Sequence, residues 1–225
     1  MTFSITGRCG RTGMFGVAIT TSSIAVGSRC PWVRAGVGAV ATQNVTMPSI
    51  GNDVLDLIGT GLDAQTALDR VIANEQHPAF RQVAVVSSSG MALFSGANTL
   101  GTNAAVTGKD CIAAGNLLAE DRLPQVMVDR FDGTPDLHLA ERLLAALETG
   151  LTDGGGEEGP VASACLLVSH TSPWPLVDLR VDWDDIDPVA KLRQLWTDYE
   201  PQMADYVARA LNPEAAPSYG VPGDE

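Results

Sequence analysis

A threonine directly behind the initiator methionine, followed at once by an apolar alternating run, is the first feature of this chain that could do chemistry: "MTFSIT". A threonine hydroxyl is a weak nucleophile until a base takes its proton, and a free α-amino group on the same residue can serve as that base. An unperturbed α-amino group titrates at roughly 7.7–8.0, near working pH, where a general base is most useful. Thr2 would meet this requirement once Met1 is removed, and a small residue in second position suits that removal. The strand that follows would hold it rigidly.

Other side chains could assist. Gln43 and Asn44 end a run of small residues, "RAGVGAVATQN", and Asn116 follows a glycine in "AAGNLL"; each could present an amide donor to an oxyanion. Arg81 opens a strand and could bind a substrate carboxylate bidentately, through two of its guanidinium N–H groups. Ser22 and Ser23 could line a substrate site or supply an internal hydroxyl nucleophile. Asp182, Asp184, Asp185 and Asp187 crowd "VDWDDIDP", but the stretch lacks the turn glycines of a cation loop and Asp187-Pro188 reads as a helix start, so no metal is assigned. "GRTGMFG" leads into a strand and lacks the lysine–hydroxyl pair of a phosphate loop. His77, His138 and His170 fall into no Ser-His-Asp spacing, and "GGGEEG" reads as a mobile connector. No cofactor is implied.

These candidates need elements to hold them. "TFSIT" and "MFGVAITTSS" read as a hairpin across "GRCGRTG", and "RAGVGAVATQN" as a third strand. "NDVLDLIGTG" and "DAQTALDRVIANE" have helical spacing, with Asp63 as N-cap. "RQVAVVSSSGMALFSG" reads as two strands and "KDCIAAGNLL" as another. "PQVMVDRFDG" reads as a helix ending at Gly133. "PDLHLAERLLAALETG" stacks Leu137, Ala140, Leu144 and Leu147 on one face, with Gly150 as C-cap. Two strands follow, "VASACLLVSH" and "LVDLRVDW", and then one long amphipathic helix from Asp187-Pro188 through "VARAL". Cys111 and Cys165 sit in apolar runs and are expected to be buried. Hairpins rather than single crossovers exclude a doubly wound parallel sheet. The fold class is therefore α/β (α+β), a four-layer αββα sandwich of two mostly antiparallel sheets, with residues 1–212 one domain and 213–225 a flexible tail.

Composition narrows the function. The 225 residues carry a net charge of -13, with Lys109 and Lys191 the only lysines, so nucleic acid and anionic membrane are disfavoured partners. Four separated cysteines suit neither a zinc site nor a disulfide scaffold. No charged-then-apolar leader and no bilayer-length apolar run is present, and the reading is a cytoplasmic protein.

The run "MTFSIT…GVAITTSSIAVG…VRAGVGAVATQN…RQVAVVSSSG…GNLL…LAERLLAALETG" resembles, to about Leu195, a bacterial family known as domain of unknown function ten-twenty-eight, which has an Ntn-hydrolase-like fold. The resemblance implies that fold. It also implies, as an activity, amide cleavage by an N-terminal nucleophile, with Thr2 at the nucleophile position. Where the proteasome-like branch of that superfamily carries a lysine, this chain has Arg34, which supplies a positive field but cannot exchange a proton. Where that branch has an aspartate near the end of the second strand, this chain has Thr20, Thr21, Ser22 and Ser23. Two readings follow: an amidohydrolase acting on a small amide or peptide-like bond, and a non-catalytic member of the fold that binds a small molecule or scaffolds a partner. A homo-oligomer is compatible with either.

Overall fold

Alternation organises the first strand. In the computed structural model, which describes residues 1–221, β1 (Thr2–Arg8) turns Phe3 and Ile5 to one face and Thr2, Ser4 and Thr6 to the other, as the two-residue repeat of a strand requires. It pairs with β2 (Phe15–Thr21), and β3 (Pro31–Arg34) and β4 (Gly38–Asn44) follow as a second hairpin. Two helices, α1 (Ser49–Gly59) and α2 (Ala64–Asn74), precede β5 (Arg81–Ser87), β6 (Gly90–Ser95), β7 (Ala104–Thr107) and β8 (Cys111–Asn116). Then come α3 (Leu123–Asp132), α4 (Leu139–Thr152), β9 (Ser163–Ser169), β10 (Val177–Val181), α5 (Pro188–Tyr199) and α6 (Met203–Leu211).

The strands form two antiparallel sheets, one of six in the order β10-β9-β2-β1-β8-β7 and one of four in the order β3-β4-β5-β6. Phe3, Ile5, Leu166 and Val168 on the outer face of the larger sheet pack on Phe131, Leu143, Leu147 and Trp196 from α3, α4 and α5. Val40, Val83 and Val85 on the smaller sheet pack on Ile50, Val54, Leu55 and Leu68 from α1 and α2. Between the sheets lie Val17, Ile19, Ala39, Ala41, Cys165 and Leu167, with Ala84, Val86 and Ile112 alongside. This is the four-layer αββα sandwich. Cys111 and Cys165 are buried in it, as their apolar runs imply.

The local signals that hold are capping ones. The Asp63 carboxylate accepts from the Thr66 N–H at 2.9 Å, Asp187 accepts from the Ala190 N–H at 2.8 Å, and α3 ends at Gly133. Others are corrected. The single strand expected over "RAGVGAVATQN" is the end of a hairpin whose first arm is the four-residue β3, and β7 is a further short strand. The expected long final helix breaks after Tyr199 into a 3-10 turn, Glu200–Gln202, because Pro201 has no N–H to donate and its ring crowds the preceding turn. Gly150 is not a C-cap. It lies inside α4, where a Cβ would come within 3.0 Å of Phe3 and 3.1 Å of Met127, so close helix–sheet approach explains the glycine. Leu137 precedes α4 and is exposed. His138 caps α4 through its ring nitrogen, which accepts from the Ala140 N–H, and stacks on Trp196.

Arg209 of α6 meets the tail expected to be flexible: it lies over the rings of Tyr206 and Tyr219 and donates to the carbonyls of Pro217 and Ser218. Residues 222–225 of the tail lie outside the described residues. No helix among the described residues is long and apolar enough to cross a membrane.

Candidate active site

Strand register decides what surrounds Thr2. It faces Thr21 across β1–β2 and Asn116 across β1–β8, and Thr21 in turn faces Ser163 across β2–β9. Directly opposed residues project on the same side of a sheet, so Ser163, Thr21, Thr2 and Asn116 form one polar row on the inner face. The next row inward, built on Ser4, Ile19 and Cys165, is largely apolar. The polar row therefore sits at one end of the inter-sheet layer.

The smaller sheet answers with Gln43, Gln82 and Ser95, which are paired in sequence across β4, β5 and β6. Ser4 Oγ donates to Gln43 Oε1 at 2.7 Å, and Gln43 Nε2 donates to Gln82 Oε1 at 2.8 Å. Asn116 Nδ2 also donates to Gln82 Oε1, at 3.3 Å, and Gln82 Nε2 donates to Ser95 Oγ and to the Gly115 carbonyl. This buried chain of amides couples the two sheets behind Thr2. An unpaired amide here would lose its hydration without a replacement, so the network fixes each member's orientation.

Thr2 itself is 6% exposed. Its Oγ1 donates to the Met1 carbonyl at 2.5 Å and lies 3.0 Å from Thr21 Oγ1, which also donates to that carbonyl. Ser163 Oγ donates to the Ser23 carbonyl at 2.6 Å, so β9 holds the Ser22–Ser23 loop at the mouth. The Met1 side chain reaches Gly159, where a Cβ would stand 3.0 Å from the methionine Cε.

An acid from outside the sheets lies near this end of the sandwich. Glu157, in the glycine-rich stretch read as a mobile connector, is 7% exposed, and neither carboxylate oxygen has a hydrogen-bond partner of ordinary geometry among the described residues, the Ser22 amide standing only as a weak neighbour. Burial pushes its carboxyl up to about 8, against the opposing pull of the chain's α-amino group and the Ser22 amide. The stretch is tied down. It bridges Leu118 to Glu157, and Ala119 and Glu158 exchange backbone hydrogen bonds with Gly156 and Leu117. Residues of this loop, with Leu151, Val161 and Ile186, line a cavity of about 270 Å³ beside Glu157.

Of the residues expected at the site, Thr2, Asn116 and Gln43 join this end of the sandwich, and Ser22 and Ser23 form its rim. Arg34 does not. It pairs with Asp56 at 2.7 Å from the other end of β4, opposite Gly38 and five positions from Gln43, roughly 17 Å at strand spacing. Arg81 precedes Gln82 and so faces the opposite side of its strand. Its guanidinium donates to Glu75 at 3.0 Å and to the Val45 carbonyl at 2.6 Å, leaving no free fork for a substrate. Burial would raise the Glu75 carboxyl, but the His77 amide and Arg81 outweigh it and hold it below the usual range. Asn44, at φ 72°, spends its side chain tying loops together through Phe80, Asn98 and Leu100. Asp184 accepts from Lys191 and from the amides of Ile186 and Asp187.

Sequence reasoning passes over Glu157 and Ser163, notes Thr21 only as standing where an aspartate is expected, and takes Gln82 only with Arg81 at the opening of a strand. Alternation with the outward Val83 and Val85 marks Gln82 as inward, and the same count marks Ser163. Nothing local marks Glu157.

Residues 2–192 match the model of a family described as "Family of unknown function (DUF1028)". Among solved structures, a protein of that family from Silicibacter pomeroyi is similar, at 30% identity and a TM-score of 0.82, over 91% of this chain and 92% of that one. Two Anbu (ancestral beta-subunit) proteins are more distant. The one from Yersinia bercovieri is 10% identical with a TM-score of 0.46, over 90% of this chain and 96% of that one. A Gly-1 mutant from Hyphomicrobium sp. strain MC1 is 14% identical with a TM-score of 0.43, over the same shares. No curated protein shows significant similarity to the chain. The four-layer αββα sandwich of two antiparallel sheets implied by the sequence resemblance is the architecture this chain adopts.

Proposed function

The chain belongs to the DUF1028 family, and from the polar row around Thr2 we propose that it is an amidohydrolase whose nucleophile is Thr2 once Met1 has been removed. In this reading Thr2 Oγ1 adds to the carbonyl carbon of a small amide while the freed α-amino group takes the hydroxyl proton. The amine returns that proton to the leaving nitrogen as the C–N bond breaks, and water then hydrolyses the acyl ester. Asn116, directly across from Thr2, has a second amide hydrogen beyond the one given to Gln82 and is the side-chain donor for the oxyanion. Glu157 is a positioning residue that holds the new N-terminal amine. A buried carboxyl with no well-formed hydrogen bond, acted on by the charge of the chain's own amino end, is the observation that carries this reading.

A second reading follows from Met1. Its carbonyl accepts from both Thr2 and Thr21, and its side chain reaches Gly159, so a retained methionine caps the nucleophile. The chain would then be a non-catalytic binder of small molecules.

Intact-mass spectrometry of untagged protein before and after exposure to a β-lactone separates the two. Loss of Met1 with one adduct that disappears in Thr2→Ala supports the hydrolase. Retained Met1 without an adduct supports the binder.

A further inference from the structure

Met1 is held at the mouth of the site by each of its three functional parts. Its carbonyl accepts from the hydroxyls of Thr2 and Thr21. Its side chain runs to Gly159, where a Cβ would stand 3.0 Å from the methionine Cε and 3.6 Å from Sδ. Its ammonium group acts on Glu157 as an opposite charge. Gly159 is not among the glycines with positive φ, so its missing side chain serves space rather than a turn. Glu157 and Gly159 line one cavity, to which Asp187 adds a second carboxylate, and no lysine or arginine lines it among the described residues. Glu157 is 7% exposed, and both of its oxygens lack a partner of ordinary geometry. A carboxylate has lone pairs for several N–H donors, so one group can accept from the freed Thr2 amine and from a second ammonium. A buried carboxylate without an opposite charge is costly, which favours a cationic ligand here.

We propose that the site takes α-aminoacyl amides, with the free ammonium on Glu157, an unbranched apolar side chain against Gly159 and the scissile carbonyl beside Thr2 and Thr21. This inference rests on the Thr2 hydrolase reading and names its substrate class. Removal of Met1 vacates the places its ammonium, side chain and carbonyl fill, and the aminoacyl group of a substrate enters them. Thr2 Oγ1 adds to the carbonyl carbon while the Thr2 amine takes the hydroxyl proton. The C–N bond then breaks, the leaving amine carries that proton away, and water splits the aminoacyl ester to release the free amino acid. Gly159 is the specificity-determining residue, since any side chain there would fill the channel that the methionine thioether now occupies.

The test uses full-length protein that begins at Thr2, released from a cleavable N-terminal fusion, with methionine p-nitroanilide, its N-acetyl derivative and alanine p-nitroanilide as probes. Methionine p-nitroanilide should exceed the N-acetyl form about tenfold in kcat/KM, because acetylation removes a charge-assisted hydrogen bond. Glu157→Gln should bring those two values together. Gly159→Val should lower the methionine-to-alanine ratio about tenfold by filling the side-chain channel. Should Gly159→Val fail to fold, valine p-nitroanilide on the wild type is the further probe, its branched Cβ expected to make it about tenfold slower than methionine p-nitroanilide. Labelling of Thr2 by the β-lactone without hydrolysis of methionine p-nitroanilide would overturn the substrate class and leave the nucleophile standing. Equal rates for the free and N-acetylated probes, or an unchanged ratio in folded Gly159→Val, would do the same. Absence of both the adduct and the hydrolysis would overturn the hydrolase reading and this inference with it.

Discussion

The hydroxyl oxygens of Thr2 and Thr21 lie 3.0 Å apart across the β1–β2 pair, and both hydroxyls donate to the Met1 carbonyl. The register that pairs these two residues also sets Asn116 on the far side of Thr2. A slip of one residue would turn Thr2 to the outer face among Phe131 and the α4 leucines. The polar row is therefore a property of strand pairing, and Thr21 is the neighbour best placed to orient the Thr2 hydroxyl.

Replacing Thr21 by valine keeps the shape and removes that hydroxyl. A lost buried hydrogen bond of about 1–1.5 kcal/mol corresponds to roughly a tenfold slower reaction. In protein lacking Met1, Thr21→Val should form the β-lactone adduct about tenfold more slowly, against complete loss in Thr2→Ala. Timed intact-mass measurements check this. Equal rates in Thr21→Val and wild type would remove Thr21 from the site.

Glu157 predicts an unusual pH dependence of stability. In the folded chain it keeps its proton to about 8, whereas in the unfolded chain it ionises near the ordinary 4.5. Between these values the folded state binds more protons, so this group's contribution falls as pH rises and is fully lost above about 8. Glu157→Gln should match the wild type in acid and exceed it by roughly 2–4 kcal/mol above the folded-state value. Urea denaturation across that range measures the difference. A wild type that is instead the more stable protein in alkali would mean that the carboxylate is ionised against the amine.

Gln82 joins three elements, accepting from Gln43 and Asn116 and donating to Ser95 and Gly115. Gln82→Leu strands the amides of Gln43 and Asn116 in the dry layer between the sheets. A loss of roughly 2–4 kcal/mol is expected by chemical denaturation, against about 0.5 kcal/mol or less for an exposed glutamine. A near-neutral variant would mean that water reaches this layer.

At Gly51 two effects compete. Alanine improves helix propensity by about 1 kcal/mol, but its Cβ would stand 2.0 Å from Trp32 Cδ1 and 2.3 Å from Cγ. Those atoms lie at the root of the indole, so relief requires the whole ring and α1 to separate. Overpacking of this kind costs about 1–3 kcal/mol and should win. Gly51→Ala is expected to lower the denaturation midpoint and alter tryptophan emission; a higher midpoint would show that the ring moves freely.

Much of the scaffold was legible from local pattern. Alternation in "TFSIT" and "RQVAVVS" marks strands and their faces, and Asp63 and Asp187 cap their helices because an N-cap needs only the next three residues. Short elements were not legible. The four residues of β3 and of β7 carry too little alternation to stand out from loop, and both exist because a neighbouring strand offers hydrogen bonds. The break at Pro201 was readable in principle, since proline removes a helical donor whatever surrounds it.

The site divides in the same way. The sequence by itself determined that Thr2 heads a strand and that Gln43 and Asn116 end theirs, because side-chain direction in a strand follows from position parity. It could not decide that Arg34 pairs with Asp56, or that Arg81 is consumed by Glu75 and Val45, since parity does not say which charges meet. Only the tertiary structure brought Glu157 to the amino end of the chain. A carboxyl's proton affinity is set by burial and by the charges around it, and those neighbours arrive from residues more than a hundred positions away.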